Sequence, residues 1–474
     1  MSEPAITLER APPAAVVPSP RLAIAALLTA LMLVVLDASI VNIALPTLSR
    51  ALGVSAAASM SIVTAYQVAL VMTLLPCAAL GEQLGHRGVF VGGVALFVVA
   101  SAGCAAAPNL AWLVAARFVQ GVGAAAVMSL SVALLRAVVP AKRFGAAIGW
   151  NALVVALTTA SGPTIGALLL SVAPWPWLFA INVPLGVFAL VAAGALPDLA
   201  GAARRLDAAA IGLNMVGFGA LVVGAELLPK APFLAVAGLA AGGLSLAALI
   251  RREASKAAPL FPLDLLRRPA FRLSAAASVC CFTGQGAALV ALPFYLQRTL
   301  GLSPLEAGLY ITPWPLMAAV AALLAGRLAR PTTMAWVCAA GCALLSTGLL
   351  IAATWPIASS PLVVMPIVML CGLGFGLFQV TNNRNMFVSA PPDRSGAAGG
   401  LQSVSRLTGQ TAGVVIMTLL FSLEPAAVAP RLGLAIGASL ALSAGLISAR
   451  RTGASEAGYR VAQPRPTSAS GTQP

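Results

Sequence analysis

The sequence predicts an all-α polytopic membrane protein of fourteen spans, arranged as two six-helix bundles with two further helices inserted between them. Three observations carry this. The 474 residues are 60% hydrophobic and only 9% charged, against about 25% charged in soluble domains, so most of the chain cannot face water. The apolar residues gather in long blocks, among them 22–36, 89–107, 233–250 and 333–354, close to or beyond the ~18 residues of a membrane span. No alternation of period two runs through them, which argues against a β-barrel. The basic residues, finally, divide unevenly between the two sides that fourteen spans define.

The elements follow in order. Residues 1–21 carry five prolines with Glu3, Glu9 and Arg10, and read as a disordered cytoplasmic tail without a signal-peptide cleavage site. Cutting at Pro, Gly and charge clusters gives a first bundle over 22–197, with spans near 22–47, 58–80, 89–107, 111–135, 146–171 and 178–196. A two-helix insert over 198–252 holds spans near 208–227 and 232–250. A cytoplasmic linker, 253–270, leads to the second bundle over 271–450, with spans near 271–296, 306–326, 333–353, 361–386, 396–422 and 432–449. A second disordered tail covers 451–474. The even count puts both termini on one side.

Of the 28 basic residues, Arg50, Lys230, Arg298 and Arg431 fall in loops of the far side, and Arg117 lies within a span. The other 23 fall in the tails, the loops on the terminal side and the adjoining halves of helices. That bias makes the terminal side cytoplasmic, and it explains the +15 net charge without nucleic acid as a partner. The seven cysteines all lie in apolar stretches, with no zinc or disulfide spacing, and read as packing residues. An internal repeat supports the count. Pro140-Ala-Lys-Arg143-Phe-Gly145-Ala-Ala-Ile-Gly149 follows span four, and Pro391-Pro-Asp-Arg394-Ser-Gly396-Ala-Ala-Gly-Gly400 follows span twelve.

Within the spans, deep charges are rare. Asp37 is the one acidic residue far from any span end, and an ionised carboxylate there costs ~2.5–3.5 kcal/mol on insertion scales. Helical rise places it about 8 Å from the outer boundary, and Arg117 about 9 Å in from that boundary. Opposite charges at matching depth are expected to pair. Arg406 lies about 15 Å from the inner boundary and is a poorer match. Asn42 stands about 140° around the helix from Asp37. Polar groups in hydrocarbon face a cavity or a neighbouring helix, which makes Gln120, Gln285, Gln379, Asn382 and Arg406 candidates for the substrate cavity. Gly162 and Gly166 form a close-packing GxxxG with Pro163 between them, and Gly372 with Gly376 repeats the spacing. Glu82 and Arg87 fall in the loop after span two, where Glu82 could meet the positive start of span thirteen near Ser395 and Gly396 and latch one conformation. His86, the single histidine, reads as a loop residue. Glu306 reads as a helix-dipole partner, and Glu226 as a hydrated interfacial group.

Several segments resemble the major facilitator superfamily and, within it, the fourteen-span drug:proton antiporters. Leu36-Asp37-Ala-Ser-Ile-Val-Asn42-Ile-Ala-Leu-Pro46 is similar to the family's first-helix signature. Leu80-Gly-Glu82-Gln-Leu-Gly85-His86-Arg87 resembles its loop signature, with Glu82 for Asp, Gln83 for Arg and His86 for Arg. Arg117-Phe-Val-Gln120-Gly121-Val-Gly123 resembles its span-four motif. Ser161-Gly162-Pro163-Thr-Ile-Gly166-Ala167 resembles the antiporter motif of span five, and Trp175-Pro-Trp177-Leu-Phe-Ala-Ile-Asn182-Val-Pro184-Leu-Gly186 the fourteen-span signature.

The resemblance implies export of small amphipathic compounds in exchange for protons. Asp37 and Arg117 would be the coupling pair, and Glu82, Gly85, Arg87, Gly162, Pro163 and Gly166 the switching elements. The expected setting is a bacterial inner membrane, with a small-molecule substrate, protons and lipid as partners. A monomer is expected, and no cofactor beyond the proton gradient, since no nucleotide motif is present. Import of a polar nutrient by symport on the same fold is the alternative. An enzyme would need clustered bases, nucleophiles or metal ligands, and one histidine supplies none.

Overall fold

The computed structural model describes residues 19–198, 207–254, 263–328, 332–354, 361–391, 394–425 and 427–451. Most of both tails and residues 255–262 of the linker expected from the sequence lie outside these residues. Among the described residues, fourteen helices are long and apolar enough to cross a membrane. They run Pro20–Ala51, Ala56–Leu84, His86–Ala105, Leu110–Val138, Leu153–Val172, Trp177–Ala195, Ala208–Leu227, Pro232–Glu253, Pro269–Thr299, Pro304–Leu328, Met334–Thr354, Val364–Ser389, Ala397–Leu423 and Ala429–Ala449. They are spans one to fourteen, each at its expected place.

Spans one and two run about a turn past the expected block, and polar side chains cap several helix starts. Ser55, Asn109 and Asp207 each accept a hydrogen bond from a backbone N–H of the first turn, satisfying donors that the helix leaves free. Span ten opens with a reciprocal capping box between Ser303 and Glu306, so Glu306 does serve the helix start. That span breaks at Thr312, ahead of Pro313, whose missing N–H cannot continue the ladder. Span six breaks at Ile181, immediately before Asn182. Spans two and three are joined by Gly85 alone, at φ +97°, a conformation that glycine adopts without penalty.

The first bundle packs span one on spans two, four, five and six, and span four on spans two and three. The second packs span nine on spans twelve, thirteen and fourteen, and span twelve on spans ten and eleven. The same steric details recur in both. A Cβ on Gly162 of span five would strike Ser39 of span one, and one on Gly413 of span thirteen would strike Ala287 of span nine. Gly123 lies against Gly93 and Phe97, and Gly374 against Gly341 and Leu345. Gly121 meets the carbonyl of Tyr66, and Gly372 that of Trp314. The early spans of the halves are thus offset by 248 residues (39 to 287, 93 to 341) and the later ones by 251 (123 to 374, 162 to 413). Small residues at these points let backbones touch.

The inserted spans seven and eight pack on each other, and span seven lies across the seam between spans two and thirteen. Asn214 donates to the Met72 carbonyl of span two at 2.7 Å. Glu226 corrects an expectation. Its carboxylate faces the hydroxyls of Thr64 and Thr418, one from each half, and its Oε1 is buried without a hydrogen-bond partner. It is half-buried rather than hydrated, because the last turn of span seven tucks into the seam.

Candidate functional site

The halves meet at the face opposite the termini. Gln297 of span nine donates to the Ile43 carbonyl of span one at 2.9 Å, and Arg298 donates to Ser49 Oγ at 2.7 Å. The hydroxyls of Thr164 and Thr312 join spans five and ten at 2.5 Å. Pro163 and Ala167 meet Gly308 of span ten, while Gly162 and Gly166 on the other side of the helix meet span one. The glycine motif therefore sits where span five contacts both halves.

Inside the first bundle, the expected pair forms. Asp37 Oδ2 accepts from Arg117 Nη1, and both side chains are fully enclosed, at 0% and 1% exposure. Asp37 Oδ1 accepts from Gln120 Nε2 at 3.0 Å and from Asn182 Nδ2 at 2.9 Å. Two further donors of Arg117 go to Gln120 Oε1 at 2.6 Å and to the Ile62 carbonyl at 3.2 Å. Its guanidinium lies 4.2 Å from the Tyr66 ring centroid, within cation–π range. Gln120 Nε2 also donates to Ser101 Oγ at 2.8 Å, so its amide orientation is fixed from both ends. Every partner of Asp37 donates, the set that an ionised carboxylate requires.

Asp37 faces the interior of the first bundle, sealed by its partners. One expectation changes here. Gln120, expected in the substrate cavity, is fully buried and belongs to the ion-pair network, because the turn of span four that presents Arg117 carries it to the same face. Asn182 and Tyr66 are the partners that the sequence reading missed as such. The signal for Asn182 was a polar side chain in the otherwise apolar span six, just after the Trp-rich loop.

Asn382 is corrected as well. It is fully buried in the second bundle, donates to the Ser274 carbonyl at 3.1 Å and Ser278 Oγ at 2.8 Å, and accepts from Arg451 at 2.7 Å. It ties spans nine, twelve and fourteen together rather than lining a cavity. Gln285 is buried, with Oε1 unpartnered. At the 248-residue offset it stands where Asp37 stands in the first half. Val368 and Cys371 take the places of Arg117 and Gln120, so the second half keeps the packing and lacks the charges.

Gln379 and Arg406 are half-buried. Gln379 is one turn from Asn383, whose Oδ1 accepts from Gln402 Nε2 at 3.1 Å. Gln402, Arg406 and Gln410 then follow along one face of span thirteen. This polar wall borders span two, where Tyr66 lies within electrostatic reach of both Arg117 and Arg406. At the terminal face, Arg87 donates to the Gly194 carbonyl at 3.2 Å, within the first bundle, and Glu82 is exposed. The side chains of Ser395 and Gly396, its expected partners, lie outside the described residues.

With this geometry in view, the family model for the Major Facilitator Superfamily matches residues 27–414. The chain belongs to the major facilitator superfamily. It is 38% identical over 448 residues to the uncharacterized transporter YebQ of Escherichia coli strain K12, covering 94% of this chain and 96% of that one. It is 32% identical over 396 residues to the multidrug resistance protein Stp of Mycobacterium tuberculosis, covering 82% and 73%. A solved POT family transporter superposes with a TM-score of 0.70 at 14% identity, covering 91% of this chain and 96% of the other, which shows the shared major facilitator fold.

Proposed function

We propose that this chain exports small amphipathic compounds in exchange for protons across a bacterial cytoplasmic membrane, with both termini inside. One observation carries the reading. A carboxylate deep in the membrane is held by an all-donor shell within one half, while the other half presents a neutral-to-basic polar wall at the seam. A deep carboxylate is costly unless it works, and here it is separate from the polar surface available to cargo.

With the termini inside, the contacts of spans one with nine and five with ten close the outer side. Asp37 in this arrangement accepts three donors, which favours the ionised form and leaves one of the carboxylate's roughly four lone-pair sites free. Taking a proton weakens its pairing with Arg117, and the rocking of the halves would accommodate that change when the outer contacts part. The proton then enters from outside and leaves as the shell reforms inward. The multidrug-resistance name of Stp supports the cargo class and the direction.

The test is a susceptibility panel. An efflux-deficient host carrying the chain should tolerate raised concentrations of several structurally unrelated amphipathic compounds, and a protonophore should abolish the protection. A chain that is well expressed and shifts no compound, or that sensitises the host by import, overturns the proposal.

A further inference from the structure

The three deep charges of the spans do not balance. Asp37 and Arg117 neutralise each other inside the first bundle, which leaves Arg406 as the uncompensated charge at mid-depth among the described residues. Its single hydrogen bond is a long one, Nη1 to Gln410 Oε1 at 3.5 Å, although a guanidinium carries five donors and cannot shed its proton. The charged groups around it are given by its neighbours on every side. Among the described residues, Tyr66 of span two is the titratable group that acts on it, and no carboxylate does. Water can solvate Arg406 while the seam is open. When the halves close around it, the bare cation becomes costly.

We infer that Arg406 is the recognition group for an acidic cargo, an amphipathic compound bearing a carboxylate or similar planar oxyanion. The fork of an arginine matches two carboxylate oxygens. Gln402 and Gln410, one turn to either side, offer neutral amide donors to the same group. Val404 and Leu407 of span thirteen pack with Leu70, Leu74 and Leu75 of span two beside it, an apolar contact that would become available to the apolar part of the cargo only as these two spans part. A cationic cargo meets repulsion at the same place, so the wall selects by sign of charge. The inference rests on the transport reading above and narrows its cargo.

The test uses the full chain in detergent, with Ser403→Cys as a reporter on the half-buried turn beside Arg406 and the parent chain as blank. The probes are the anionic sulfonatoethyl and the cationic trimethylammonioethyl methanethiosulfonates, each rate divided by that on a free thiol. The anionic reagent should be favoured about tenfold, and the preference should vanish in Arg406→Gln and survive in Arg406→Lys. In a second arm, 2-naphthoate should protect the reporter thiol at a concentration about tenfold lower than 2-naphthamide or 2-naphthylmethylammonium. Arg406→Gln should erase that difference. Equal reagent rates, protection led by the ammonium compound, or no protection by the naphthoate overturns the inference. Neither arm uses a proton gradient, so a chain that passes both and fails to drive efflux refutes the export reading alone.

Discussion

Asp37 and Arg117 close an ion pair between spans one and four that has no contact with solvent, and Gln120 and Asn182 complete the carboxylate's donors. Asp37→Asn keeps the shape and removes the titration. In everted vesicles, adding a transported compound should release lumenal protons with the parent chain and not with the variant. Gradient-driven efflux that persists in Asp37→Asn would move the coupling elsewhere, with Glu306, Glu82 and Glu226 next to examine.

Removing the carboxylate altogether strands a buried cation. Asp37→Ala should lower stability by about 3–5 kcal/mol, whereas Asp37→Ala with Arg117→Met should recover most of it, since no charge remains unpaired. Thermal melts of the purified variants in one detergent provide the measurement. A double variant no more stable than the single one would contradict the pairing.

Asn182 supplies one of three donors to that carboxylate. Asn182→Ala should cost about 1.5–3 kcal/mol, the range for a hydrogen bond to a charged group, and should reduce transport. Asn42→Ala, on the other side of span one, should leave stability nearly unchanged. The same melts distinguish the two.

The hydroxyls of Thr164 and Thr312 touch across the halves. Thr164→Cys with Thr312→Cys should cross-link under mild oxidant and stop transport, and a reductant should restore it. Transport that continues through a complete cross-link would show that spans five and ten stay together throughout the cycle.

Matched glycines should respond alike. Gly162→Leu and Gly413→Leu would each drive a side chain into the neighbouring span, at a cost of about 1–3 kcal/mol or more. Gly243 has nothing within 4 Å of its Cβ position, so Gly243→Leu should be silent. Expression and melting of the three variants decide the point.

Hydropathy made all fourteen spans legible, because nothing but a membrane accounts for apolar blocks of that length. The ion pair was legible too, since two rare charges at equal depth leave few other arrangements. Where a polar side chain points was not. Gln120 and Asn382 look like Gln379 in sequence, polar groups within apolar helices, and only the neighbouring helix decides which is sealed in a bundle and which borders the seam. The break before Asn182 was hidden as well, since no proline or glycine stands at Ile181 to mark it.

The two halves share the contacts that let helices touch, yet only the first places an acid at the matched position, where the second carries Gln285. On the proposed reading, the titrating group and the surface that meets cargo therefore sit on different helices, and a substitution in one need not disturb the other.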